Sequence, residues 1–413
     1  MPLPSLIARK RFVPGQDWLW YAPNGGDAFG EHEGRAVEQA LRQRWLTTGK
    51  ITAAFETKVA RLFGKRYGLF VNSGSSANLL ALAASNLPRG AEVITPACTF
   101  NTTASPIVQL GFTPVFVDVT PSYVIDVAAV ERAITKTTAA LMVPHLIGNF
   151  ADLPRLRALC RRRRLLLIED SCDTIGGTIN GAPSGRWSDI VTTSFYASHV
   201  ITAGGAGGML MTNDQALCER ARVLRDWGRG ISRHDQKIRS RLATFKLDGR
   251  PYDSAFVFVG LGYNFRPTEM QAAFGLAQLD RLSGFLALRR RAFKRIYNFL
   301  AQYPEWFYLP ETLPSTRVNW LAFPVTIKSE APFDRNTLVR YLEDHRIQTR
   351  PLFSGNILKH PAYRGVRYRS VGSLRHSQTI LNRSFLIGCH HGLTDAMIDY
   401  LCTTIAAFVG RYR

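Results

Sequence analysis

No uncharged apolar run of about 18 residues or more occurs in the sequence, so no segment reads as a transmembrane helix. Nor is a secretory leader expected. In Met1–Phe12 the basic residues follow a very short apolar piece, whereas a signal peptide has the reverse order and a longer apolar stretch. Cysteine is sparse and scattered. Cys98, Cys160, Cys172, Cys218, Cys389 and Cys402 form no CxxC or CxC pair, which argues against a disulfide framework, a zinc site or any other metal centre. Reduced thiols suit a cytoplasmic protein. Acidic residues are few: 31 Asp+Glu against 52 Lys+Arg, a formal net charge of +21. Such a surplus raises the question of an anionic partner. No helix-turn-helix or RNA-binding signature accompanies it, so neither nucleic acid nor membrane is expected as a partner. What remains is the composition of a globular enzyme, 413 residues long and 46% hydrophobic. That length accommodates one large α/β domain with a satellite.

Short apolar runs alternate with helical patterns through the first half. Tyr67–Val71, Glu92–Thr95, Pro114–Val117, Ala139–Pro144, Leu165–Ile168 and Ile190–Ser194 read as strands. Helices are expected near 30–45, 78–85, 106–110, 127–134 and 153–162. This alternation implies a mainly parallel sheet covered on both faces. The pattern fades after about residue 225. A basic, glycine-containing stretch at 228–260 reads as an exposed loop, followed by helical patterns at 268–303 and a smaller α+β unit.

Four segments concentrate chemistry, each at the C-terminal end of an expected strand, where ligands bind in open α/β sheets. Val71–Asn78 passes from strand through a Gly/Ser turn into a helix. The backbone N–H groups of Gly74, Ser75 and Ser76 suit an anion, although a plain serine cap fits equally well. In Leu165–Asp170, an acidic pair follows a buried apolar strand, so Asp170 could face a protonated ring nitrogen, a metal or merely a helix start. Thr192–Gly208 runs from a strand into a glycine loop, with Ser194 and His199 five residues apart. Imidazole titrates near neutrality and suits acid–base work. Pro96–Asn101 carries Phe100, fit to stack on a flat ring or to pack in a core.

In chain order and spacing, these segments resemble the pyridoxal-phosphate-dependent sugar aminotransferase family. The resemblance extends from Phe12–Gly15 and Trp45–Gly49 through Leu261–Ala272 to His391–Thr394. It implies the aspartate-aminotransferase fold: an N-terminal segment (1–45), a large domain (46–290) with a mainly parallel seven-stranded sheet, and a smaller C-terminal α+β domain (291–413). Aminotransferases of this family carry their cofactor-linking lysine five residues after the serine. Here that position is His199, which cannot form the usual covalent link. The substitution resembles the nucleotide-sugar 3-dehydratase branch, as do Glu169–Asp173, Arg225–Arg229 and Arg350–Asn356. The loop Gly204–Gly208 departs from the family pattern. It lacks an acidic residue and is one residue longer.

By resemblance, the cofactor is pyridoxamine 5′-phosphate or pyridoxal 5′-phosphate. Gly74, Ser75, Ser76 and Ser194 would hold its phosphate, with Asn264 reaching in from the second subunit of a homodimer. Phe100 would stack on the ring, Asp170 would face its nitrogen, and Asp173 would lie near its O3′. His199 would be the catalytic base, with Arg229 and Arg350 toward an anionic substrate. The implied substrate is a nucleotide-diphosphate 4-keto-6-deoxyhexose, which loses its C3 hydroxyl. One kind of 3-dehydratase uses a [2Fe–2S] cluster on four cysteines and a reductase partner. The other has no cluster and uses L-glutamate. No cysteine lies between Cys218 and Cys389, where the cluster kind is cysteine-rich, so no iron–sulfur cluster is expected. An aminotransferase and a non-catalytic regulator on the same fold are the alternatives. Protein purified without added metal is expected to lack stoichiometric iron in a colorimetric assay. One cluster's worth of iron per chain would restore the reductase-dependent alternative.

Overall fold

Buried strands with alternating faces build the first half of the molecule. The computed structural model describes residues 12–23, 29–230 and 245–413. The stretch 1–11 and the part of the basic loop at 231–244 lie outside the described residues. Elements follow in the order α1 (Glu31–Arg42), α2 (Lys50–Leu62), β1 (Tyr67–Val71), α3 (Gly74–Ala83), β2 (Glu92–Pro96), α4 (Asn101–Gln109), β3 (Thr113–Val117), α5 (Val127–Ala133), β4 (Thr138–Pro144), α6 (Leu153–Arg163), β5 (Leu166–Asp170), β6 (Ile190–Ser194), β7 (Gly208–Thr212), α7 (Gln215–Arg225) and α8 (Glu269–Leu300). Successive strand residues point to opposite faces. Phe70, Leu141, Val143 and Leu167 therefore enter one core, while Leu69, Val71, Met142 and Ile168 enter the other. The same parity sends Glu169 and Asp170 to opposite faces.

The C-terminal part contributes β8 (Phe307–Tyr308), β9 (Ala322–Ile327), α9 (Arg335–Asp344), β10 (Thr349–Pro351), β11 (Arg369–Ser370), α10 (Arg375–Arg383), β12 (Ser384–Gly388) and α11 (Asp395–Val409). Four of these strands form an antiparallel sheet in the order β8-β9-β12-β10. The main sheet has eight strands rather than the seven expected, in the order β1-β7-β6-β5-β4-β2-β3-β11. The extra strand, β11, comes from the C-terminal part and runs parallel to β3. Arg369 clamps it there, donating to both Glu92 oxygens at 2.8 and 2.9 Å. Those bonds hold the Glu92 carboxyl down at about 2.

β7 and α2 did not stand out in the sequence. β7 follows glycines that mask its start, yet it is wholly buried and antiparallel to both neighbours. Gly208 pairs with the last residues of both β1 and β6. A Cβ at Gly208 would lie 2.3 Å from the Ser73 carbonyl, so only glycine lets the strand pass. This close approach draws the ends of β1 and β6 together. In the basic stretch, Phe245–Leu247 and Arg250–Tyr252 form a small exposed hairpin. No helix among the described residues is long and apolar enough to cross a membrane.

Glu269, the first residue of α8, is buried and ties this frame together. Its carboxylate accepts from the N–H groups of Gly49, Ile51 and Thr52 at 2.8, 3.0 and 2.8 Å, and from the Thr52 hydroxyl at 2.5 Å. It thus caps α2, whose first N–H groups have no partner within the helix. Glu269→Ala leaves those donors buried without an acceptor and is expected to cost roughly 3 kcal/mol in urea unfolding. Glu269→Gln, which keeps one acceptor oxygen, should cost less.

Candidate active site

The C-terminal ends of β1, β4, β5 and β6 border a cavity of about 380 Å³. Ser73, Gly74 and Ser75, at the start of α3, line one part of it. Ser73 caps this helix, its hydroxyl accepting from the Ser76 N–H at 3.1 Å. The first-turn N–H groups of Gly74 and Ser75 are left for an anion. Ser194 packs directly on Gly74: a Cβ at Gly74 would lie 2.7 Å from the Ser194 Cβ. Glycine is therefore required where the turn meets Ser194. The Ser75 hydroxyl donates to Thr102 at 2.8 Å.

Asp170 ends β5 on the face covered by α3 and α4. Its Oδ2 accepts from Asn78 Nδ2 at 2.9 Å and from the Thr103 hydroxyl at 2.8 Å. Its Oδ1 accepts from the Cys172 N–H at 3.3 Å. Asn78 is itself held by Thr192, which donates to its Oδ1 at 2.5 Å. Pro106 inside α4 has no N–H for the Thr102 carbonyl one turn earlier, and Asn78 Nδ2 donates to that carbonyl at 3.2 Å. A carboxylate held this rigidly suits a charge-assisted bond to a protonated ring nitrogen. On the opposite face, Glu169 lies 3.4 Å from His145 Nε2 and accepts from Ser171 at 2.5 Å. Burial raises the Glu169 carboxyl, but its bonds to His145 and Ser171 prevail and hold it below the usual range.

His199 Nδ1 lies 3.5 Å from Asp173 Oδ1. Asp173 Oδ2 accepts from the Ile147 N–H at 2.9 Å. Burial pushes the His199 imidazole down to about 4, and the buried Arg289 guanidinium adds to this. Burial pushes the Asp173 carboxyl up to about 7, with Asp170 adding to the rise. The imidazole is thus neutral near pH 7 and free to accept a proton.

Of the residues singled out in the sequence, Gly74, Ser75, Phe100, Asp170, Asp173, Ser194 and His199 all line the cavity. Ser76 sits behind it, buried, with its hydroxyl accepting from Ser73 at 3.0 Å. Asn264 is exposed and outside its own chain's cavity, its backbone bridged to Asp226. Arg229 lies over the Trp227 ring at 4.5 Å, and Arg350 is exposed; neither lines the cavity. Sequence reasoning missed Tyr21, Thr103, His145, Tyr196 and Phe353, which also line it. Tyr196 stood within a marked segment, and Thr103 begins a helix next to one. Phe353 lies within Arg350–Asn356, a segment that resembles the branch, whereas Tyr21 carries no local signal. No cluster of three or more His, Cys, Asp and Glu side chains among the described residues is placed to hold a metal ion.

A glycine-serine cradle, a braced carboxylate and an aromatic on one sheet edge fit a phosphorylated pyridine cofactor. The fold and this donor set define a pyridoxal-phosphate enzyme of the aminotransferase architecture. The profile of the DegT/DnrJ/EryC1/StrS aminotransferase family matches residues 27–406, and the chain belongs to this family. It is 38% identical to the lipopolysaccharide biosynthesis protein RfbH of Salmonella typhimurium, over 98% of this chain and 94% of that protein. It is 40% identical to a dTDP-4-dehydro-2,6-dideoxy-D-glucose 3-dehydratase of Saccharopolyspora spinosa, over 91% of this chain and 83% of that one. The crystal structure of a GDP-4-keto-6-deoxymannose-3-dehydratase with a trapped PLP-glutamate geminal diamine matches with a TM-score of 0.83 at 27% identity, covering 93% of this chain and 99% of that one.

The Asp173 carboxyl rises from its ordinary 3.8 to about 7 on folding. Between those values the folded state holds a proton that the unfolded state has lost. The contribution of Asp173 to stability is therefore full below about 3.8 and lost as pH rises through about 7. Asp173→Asn removes this dependence. In cofactor-free protein, its thermal midpoint relative to the parent should be more favourable at pH 8 than at pH 4. An equal offset at both pH values would overturn the assignment.

Proposed function

We propose that this enzyme removes the C3 hydroxyl of a nucleotide-linked 4-keto-6-deoxyhexose without an iron–sulfur cluster. The products are a 4-keto-3,6-dideoxy sugar, 2-oxoglutarate and ammonia, with L-glutamate as amine donor. The carrying observation is His199. A half-buried, neutral imidazole stands in the cavity at the sequence position of the aminotransferase lysine, and no lysine among the described residues lines that cavity. The named 3-dehydratases among the relatives support the reading. The trapped glutamate adduct in one of them supports the choice of donor.

When bound, pyridoxamine phosphate supplies the amine that condenses with the C4 ketone and a ring that accepts electrons. The turn at Gly74 and Ser75, with Ser194, holds the phosphate. Asp170 keeps the ring nitrogen protonated, and Phe100 covers one face of the ring. His199 takes a proton from the C4′ carbon and delivers one to the departing C3 hydroxyl. One group can serve as base and then acid because it is neutral at rest. Asn264 of a second subunit would complete the phosphate end in a homodimer. An aminotransferase would need an amine in place of His199 to move the proton and hold the cofactor between turnovers.

Incubation with GDP-, CDP- and dTDP-linked 4-keto-6-deoxyhexoses, pyridoxal phosphate and glutamate, read by mass spectrometry, tests the reading. The expected product has lost one oxygen. Exchange of the keto oxygen for nitrogen would establish an aminotransferase instead. His199→Asn should lower dehydration by about a thousandfold while still binding pyridoxamine phosphate. Full turnover in that variant would remove His199 from the mechanism.

A further inference from the structure

The cavity has two unlike sides. The cofactor end carries Ser75, Asp170, Ser194 and His199, all polar. At the other side, Phe100 meets Phe353 edge to face, with centroids 6.1 Å apart and planes at 80°. This side therefore offers apolar surface and little to satisfy a hydroxyl.

Phe353 reaches this position at a conformational cost. Its φ is +46°, in the left-handed region that a bulky side chain rarely occupies. Such a residue persists only where its surroundings over-determine it, and these cases gather at ligand sites. The bracing is visible. The Ser354 hydroxyl donates to the Thr99 carbonyl at 2.6 Å and accepts from the Thr99 N–H at 3.2 Å. His360 Nε2 contacts the Ser354 carbonyl at 2.9 Å. Gly355 packs so closely that a Cβ there would lie 2.5 Å from the Leu381 Cα. Thr99 immediately precedes Phe100, so one short segment carries one ring and anchors the turn that carries the other. Phe353 is half-buried between buried neighbours, against the core on one side and the cavity on the other.

We infer that Phe353 is a specificity-determining residue whose ring faces the C6 end of the sugar and selects its methyl group over a hydroxymethyl. This rests on the function proposed above and assigns one side chain to one feature of that substrate. Phe100 is engaged by the cofactor ring, and Tyr21 and Tyr196, the other aromatics of the lining, each bring a hydroxyl, which leaves Phe353 as the apolar ring for the sugar. A methyl group gains contact with the ring. A hydroxyl placed there would lose its water without finding a partner.

Equilibrium binding to the pyridoxal-phosphate-loaded protein tests this, because unreactive probes suffice. The probes are GDP-, CDP- and dTDP-linked pairs, each a 6-deoxyhexose and its parent hexose without the 4-keto group. The parent protein should bind the 6-deoxy member of one pair about tenfold more tightly. Phe353→Ala should bring that ratio close to one, and Phe353→Leu, which keeps a large apolar side chain, should preserve most of it. Pyridoxal phosphate affinity and the thermal midpoint should stay near parental in both variants, since the half-buried ring lines the cavity and each substitution keeps the Cβ that sets the backbone strain. A purely structural role would lower both and leave the ratio unchanged. An unchanged ratio in Phe353→Ala overturns the assignment of Phe353 alone. Failure of every pair to bind the parent protein overturns the proposed function and this inference together.

Discussion

The bond from Asn78 to Asp170 is the constraint on which the rest of the site depends. Asn78 uses its whole amide. It donates to Asp170 and to the Thr102 carbonyl, and it accepts from Thr192. One side chain thus locks α3, α4, β5 and β6 at the edge where their ends converge. Without it, a buried carboxylate would lose a donor and a proline-containing helix would expose an unpaired carbonyl. The glycines at 74 and 208 allow the close approach, and the Asn78 amide sets its register.

Around that fixed carboxylate, burial controls the protons. His199 and Asp173 are both withdrawn from water, which disfavours charge on each. The imidazole stays neutral, while the neighbouring carboxyl, pushed up to about 7, lies close to its own midpoint at neutral pH. Arg289 acts on both groups from behind the cavity wall, with its guanidinium donating to the Leu321 carbonyl.

The positive charge of the chain reads differently once the site is in view. No lysine or arginine among the described residues lines the cavity, so its anion cradle consists of N–H groups and hydroxyls. Several arginines serve the frame instead. Arg225 is buried and donates to the Phe70 carbonyl at 2.9 Å, and Arg369 secures the eighth strand to Glu92. Arg161–Arg163 form the last turn of α6, where cations favour the helix dipole.

The sequence by itself determined the alternation of buried strands and helices, the order of the four marked segments and the histidine in the lysine position. These are local signals: runs of apolar residues, glycine turns and single side chains at fixed offsets. Tertiary structure decided the rest. β7 reads as the tail of a glycine loop until two neighbouring strands flank it. β11 spans two residues and exists as a strand only because β3 lies beside it. Ser73 rather than Ser76 caps α3, a choice set by the path of the backbone. Tyr21 enters the site from a place with no motif, and the contacts of Asn78 and Phe353, although both lie in marked segments, were not legible, since closeness in space between distant residues leaves no periodicity in a single chain. Most of the residues marked in the sequence for chemistry do line the cavity. The contacts that brace and bound them were not legible, because each depends on how close two distant backbones come.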